Sequence, residues 1–103
     1  MARQQILRSN APLVVPTPGT AVPLVGSELF VKSVLIQALP TNTDFILVGD
    51  GTIQNYSLSP GKALEIHGDN MDNGTSGKLD LSLIYVDAIV AGEGCYFMYL
   101  ERI

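Results

Sequence analysis

At 103 residues the chain has room for one domain with one core, and two domains with separate cores are excluded. Hydrophobic residues make up 47% and charged residues only 16%, well under the roughly 25% of an ordinary soluble domain; this excludes a disordered chain and leaves neutral side chains facing outward unless another subunit covers them. Six Lys and Arg against ten Asp and Glu give a net charge of -4, the wrong sign for a duplex-binding surface, so no nucleic-acid partner is expected.

The first quarter differs from the rest. Residues 1–27 carry Arg3 and Arg8 and no acid, whereas residues 28–103 carry four bases and ten acids. Gln4 to Arg8 reads as an edge strand. Pro12, Pro16, Pro18 and Pro23 then forbid helix and hold the backbone extended. They also interrupt the apolar stretch Ala11 to Val25, so no membrane-spanning helix is expected, and Met1 to Gln5 lacks the apolar region of a secretion signal. Two readings of 1–27 stay open: a strand and loop folded on their own domain, or an extended arm reaching a neighbouring subunit. The division taken forward is an arm over 1–27 and a β domain over 28–103. As an arm, the segment offers Val14, Val15, Val22, Leu24 and Val25 for apolar contact and Arg3 and Arg8 for register.

From Glu28 to Ala38 the pattern has period two, with Phe30, Val34, Ile36 and Ala38 on one face and Leu29, Val31 and Leu35 on the other, which predicts a central strand. Pro40 to Asp44 form a turn rich in side chains that bond their own backbone, and Phe45 to Val48 make the returning strand. Gly49, Asp50 and Gly51 end it. Ser59, Pro60 and Gly61 predict another turn, with glycine taking the positive dihedral, and Ala63 to His67 the next strand. The run Gly68 to Gly77, apolar only at Met71, reads as a solvent loop. Leu83 to Val90 and Cys95 to Glu101, separated by Ala91 to Gly94, read as a hairpin with apolar residues on both faces. One face suits the domain core, with Phe30, Val34, Ile36, Phe45, Leu47, Val86 and Phe97 as candidate core positions. The other, with Tyr96 and Met98, asks for a second sheet, the arm or another subunit. With no amphipathic helix in view, the expected fold is all-β: a small antiparallel β-sandwich or jelly-roll-like barrel with an extended proline-rich N-terminal arm.

Chemistry is sparse. The single histidine, His67, sits at a strand end beside Gly68, and a strand-end role outweighs a catalytic one. Cys95 has no companion to bridge within the chain, as suits a protein made in a reducing cytoplasm, and reads as a small buried hydrophobe. Asp69-Asn-Met-Asp-Asn-Gly has oxygen ligands at positions one and five, glycine at six and Asp80 at twelve, but Met71 fails position three and no helices flank it, so no calcium site is expected. Pro60-Gly-Lys lacks the remaining residues of a phosphate loop. Tyr56, Tyr85, Tyr96 and Tyr99 could stack a sugar or base, but core or interface roles suit them better without tryptophan or a basic groove. Neither an enzyme nor a cofactor is expected.

Four segments in order carry a resemblance: Val31-Lys-Ser-Val-Leu-Ile-Gln-Ala, Pro40-Thr-Asn-Thr-Asp-Phe-Ile-Leu-Val-Gly, Leu58-Ser-Pro-Gly-Lys-Ala-Leu-Glu-Ile, and Leu81-Ser-Leu-Ile-Tyr-Val-Asp-Ala followed by Gly92-Glu-Gly. Over about residues 28–101 the chain resembles small β-sandwich virion accessory proteins of tailed bacteriophages, of the head decoration, cement or short fibre type. It departs from their pattern at Asp44, where glycine is more usual. The resemblance implies a protein without catalysis, made in the host cytoplasm and carried on the virion. There it would bind the outside of the capsid, with the major capsid protein as partner, and stabilise the shell as a homo-oligomer, trimer slightly favoured over dimer. Arg3, Arg8, Val14, Val15, Val22, Leu24, Tyr96 and Met98 are the candidate capsid or subunit contacts. The alternative is a fibre or receptor-side module binding host surface glycans.

Overall fold

Period-two burial is plainest in the strand that carries the centre of the fold: Val34, Ile36 and Ala38 are buried while Leu35 and Gln37 are half-exposed. The computed structural model describes the backbone of residues 5–67 and 79–102. Its strands are β1 (Gln5–Ser9), β2 (Leu13–Val14), β3 (Val22–Pro23), β4 (Phe30–Val31), β5 (Ser33–Ala38), β6 (Ile46–Gly49), β7 (Gln54–Leu58), β8 (Ala63–His67), β9 (Leu79–Asp80), β10 (Tyr85–Ala88) and β11 (Gly94–Arg102). Among the described residues the helical content is one 3-10 turn, Leu81–Leu83, so the all-β expectation holds.

One sheet has the order β1-β11-β5-β8, with β2 also on β11; a second has the order β3-β10-β6-β7; β4 and β9 form a short ribbon. All pairings are antiparallel. The two large sheets share one core: Val34, Ile36, Cys95 and Phe97 from the first meet Ile46, Val48, Leu58 and Val86 from the second. Leu81, on the 3-10 turn, is also fully buried in this core.

Residues 5–27, the described part of the segment expected as an arm over 1–27, instead follow the other reading and pair with their own domain. Residues 5–9 pair with β11 from Arg102 to Met98, Leu13 and Val14 pair with Cys95 and Gly94, and Val22 and Pro23 pair with Val86 and Tyr85. The prolines fall where this path needs no donor: Pro12, Pro16 and Pro18 lie in the links, and Pro23 ends an edge strand. Val15 and Leu24, read from sequence as contacts to a neighbour, are buried in the chain's own core. Arg8 closes on the chain's own Glu101, Nε donating to Oε1 at 3.0 Å. Arg3 lies outside the described residues. Deleting residues 2–10 is therefore expected to strip the edge from β11 and lower the unfolding free energy by about 1–3 kcal/mol, read by urea denaturation; an unchanged midpoint would restore the arm.

The C-terminal hairpin does not form either. β10 belongs to the second sheet and β11 to the first, so residues 89–93 cross the core. Gly92 supplies the bend at φ 83°, and the crossing is anchored to residue 15, with Val15 N donating to Glu93 O and Gly92 N to Val15 O, each at 2.9 Å. The Pro40–Asp44 turn crosses likewise from β5 to β6, so the strand after it does not return to β5. The Ser59–Gly61 turn forms as predicted, with Gly61 at φ 82°, but joins β7 to β8 across the sheets. Consecutive strands pair directly in β6 and β7. Asp50 Oδ1 organises their turn by accepting from Thr52 N and Ile53 N at 2.8 Å.

Two of the candidate core aromatics, Phe30 and Phe45, are exposed. Around Lys32 the alternation slips, burying Val31, Ser33 and Val34 and turning Phe30 outward. In β6 it is Ile46 and Val48 that face the core, so Phe45 and half-buried Leu47 are one residue out of phase.

Candidate functional site

The reactive side chains are dispersed. His67 and Cys95 lie towards opposite ends of β5, opposite Ser33 and Ala38 respectively. His67 is exposed, with Nε2 3.4 Å from Glu65 Oε2. Cys95 is fully buried, and that burial pushes its thiol up to about 12, which holds it as the neutral hydrophobe expected of it. Asp80 caps the 3-10 turn, accepting from Leu29 N, Ser82 N and Ser82 Oγ. The Asp69–Gly74 run lies outside the described residues. Among the described residues no three His, Cys, Asp or Glu side chains gather as a metal site would require.

What the fold does gather is four connections at one end. Residues 15–21, 39–45, 59–62 and 89–93 meet there because β5, β7 and β10 all run towards it and β6, β8 and β11 away from it. They are bonded to each other as well as to the strands. Asn42 exchanges side-chain bonds with Gly94, Nδ2 to O at 2.8 Å and Oδ1 from N at 3.3 Å. Glu93 accepts from Thr43 N and Oγ1 at 2.7 Å and from Asp44 N at 3.3 Å. Asp87 Oδ1 accepts from Gly19 N at 3.0 Å. Out of this pinned end project Phe45, Ile89 and Val90, exposed by 44%, 47% and 38%. Phe45 and Ile89 are the residues just beyond the last ladder pair, Ile46 with Ala88, of β6 and β10.

The latch beneath them titrates. Partial burial pushes Glu93 upward, but the Thr43 side chain and the backbone donors of Thr43 and Asp44 outweigh it, so its pKa is lowered from 4.5. Asp80 is lowered from 3.8 in the same way, its burial outweighed by the donors from Leu29 and Ser82, and Asp50 by its bonds to Ile53 and Thr52. A depressed folded pKa contributes stability that is complete above the unfolded value and lost as pH falls through the folded one. Denaturant midpoints are therefore expected to hold above pH 4.5 and to fall progressively below it. Glu93→Gln should lower the midpoint at pH 7 and flatten the acid-side fall.

The second exposed region is the outer face of the first sheet. Leu7, Leu35, Met98 and Leu100 make an apolar stretch across it, bordered by Ser33 and Glu65, with Tyr96 43% exposed at one end. Register places Met98 opposite both Ser9 and Leu35, and Tyr96 opposite Gln37. Two adjoining grooves of about 210 and 220 Å³ share Leu35 and Met98. Tyr96 and Met98 thus lie together on an open face, Val14 is exposed on β2, and Val22 is half-buried. Sequence reasoning missed Phe45, Ile89 and Val90 as surface residues. The available signal was that Ile46 and Val48 make a better inward pair than Phe45 and Leu47. No protein-family model, curated protein or solved structure matches the chain.

Proposed function

We propose that the protein is a structural component of a tailed-phage virion that docks on the outer surface of the assembled capsid through its loop end and stabilises the shell. The observation that carries this reading is the exposure of Phe45, Ile89 and Val90 at the loop end, on connections pinned by Asn42, Asp87 and Glu93. A surface of this kind is built to be covered, and its backbone loses little freedom when it is. The strand orders β1-β11-β5-β8 and β3-β10-β6-β7 support a double-sheet jelly-roll reading, an architecture that serves viral shells and lectins among others. The partner is the major capsid protein, the location the virion surface, and the docking unit a homo-oligomer, trimer before dimer. Each contact can be modest, because many copies on a lattice add small contacts into avidity.

The test is co-sedimentation of the purified chain with empty heads assembled from the capsid protein of the same genome. Saturable binding, with raised thermal stability of the heads, supports the reading. Absence of binding at tens of micromolar overturns it.

A further inference from the structure

We propose that the groove beside Tyr96 on the open sheet face binds one neutral pyranose ring. This goes beyond shell docking, which uses the loop end, and the two can fail separately. The groove has a volume of about 210 Å³ and is bordered by Ser9, Asn10, Leu35, Gln37, Tyr96 and Met98. That is below the roughly 300–1,000 Å³ of a site for a drug-sized ligand and suits a single six-membered ring.

The lining sets the chemistry. Among the described residues no charged side chain borders the groove, so a phosphate or carboxylate would lose its water without gaining a counter-ion from them. A purely aliphatic ligand would in turn bury the hydroxyl and amides of Ser9, Asn10 and Gln37 without partners. A ligand that is apolar on one face and hydroxylated around its rim satisfies both constraints, and a pyranose has that form. Its C–H face lies on the Tyr96 ring, which keeps an exposed surface of 43%, and its hydroxyls meet the polar side chains.

One of those polar side chains, Gln37, is bonded in place before any ligand arrives, and the backbone of Asn10 is tied to the sheet. Gln37 lies opposite Tyr96 in the β5–β11 ladder, and its Nε2 donates to Gly61 O at 3.2 Å, which aims the amide and leaves Oε1 as an acceptor. Asn10 is fixed by its backbone, N donating to Phe97 O at 3.2 Å, with its side chain exposed at the groove. Ser9 Oγ donates to the Met98 sulfur at 3.9 Å, a weak acceptor that a sugar hydroxyl can replace. Aromatic platform, amide acceptor and hydroxyl therefore converge from three strands and the link after β1.

The test is a titration of the ¹⁵N-labelled chain with methyl α-D-glucopyranoside, methyl α-D-mannopyranoside and methyl β-D-galactopyranoside, each to about 50 mM, with N-acetylneuraminic acid and adenosine as charged and flat-ring comparisons. At least one methyl glycoside should give saturable shifts at Asn10, Gln37 and Tyr96, with a dissociation constant on the order of 1–10 mM. Tyr96→Ala should weaken it by about 10-fold or more while Tyr96→Phe retains it, because the ring face and not the hydroxyl supports the sugar. Gln37→Ala should weaken it several-fold, and Phe45→Ser should leave it unchanged. Absence of saturable shifts with all three glycosides overturns the proposal. So do shifts that survive Tyr96→Ala in a variant with an intact folded spectrum, and so does adenosine binding as well as the best glycoside.

Discussion

Phe97→Ala is expected to lower the unfolding free energy by about 3–5 kcal/mol, the range for truncating a buried aromatic ring. Against a total of roughly 5–15 kcal/mol for a domain, this removes a large share of the stability. Phe97 is 4% exposed on the inward face of β11. It lies opposite Ile36, which is fully buried, and stacks on Tyr99 with ring centroids 6.3 Å apart. β11 is the strand on which β1, β2 and β5 all pair, so a void there loosens the sheet that organises both ends of the chain. At about 4–8 °C per kcal/mol for a domain of this size, melting should fall by about 12 °C or more. The neighbouring Tyr96→Ala, on the outward face, should cost less than about 1 kcal/mol. Urea denaturation of the pair measures the alternation directly, and equal losses from both would show that β11 does not have one inward face.

That alternation was the legible part. Val34, Ile36, Val86 and Phe97 were placed in the core from period two alone and are buried there, and the Pro60-Gly61 turn and the strand Ala63 to His67 lie where the sequence puts them. Pairing was not legible, because alternation reports which way a side chain points and is silent on which strand lies alongside. Five residues, 89–93, could close a loose hairpin or cross the roughly 10 Å between packed sheets. What decides for the crossing is remote in sequence: Asn42 bonded to Gly94, and Val15 bonded to Glu93 and Gly92. The N-terminal prolines misled for a related reason. They mark backbone that needs few donors, and links between strands of one domain meet that condition as well as an arm does. At the candidate site, Tyr96 and Met98 were readable as outward because their strand is long. Phe45 was not, since it stands one residue before a four-residue strand where a slip of one position inverts the assignment.

The substitution of Phe45 and Ile89 together by serine should separate docking from folding. Both side chains are about half exposed beyond the last pair of the β6–β10 ladder, so the chain should keep its unfolding free energy to within about 1 kcal/mol. In the complex the same side chains become buried anchors, and losing two of them is expected to weaken each contact by about 2 kcal/mol or more, roughly 30-fold in affinity. On a shell the effect compounds: if the docking unit carries several copies, each loses its anchors at once, and occupancy falls more steeply than for a single contact. Leu7→Ser, on the open face of the first sheet where Leu7 is 60% exposed, is the comparison. Co-sedimentation with empty heads should show the double variant unbound and Leu7→Ser bound like the parent chain. The reverse result would move docking to the open face around Leu7.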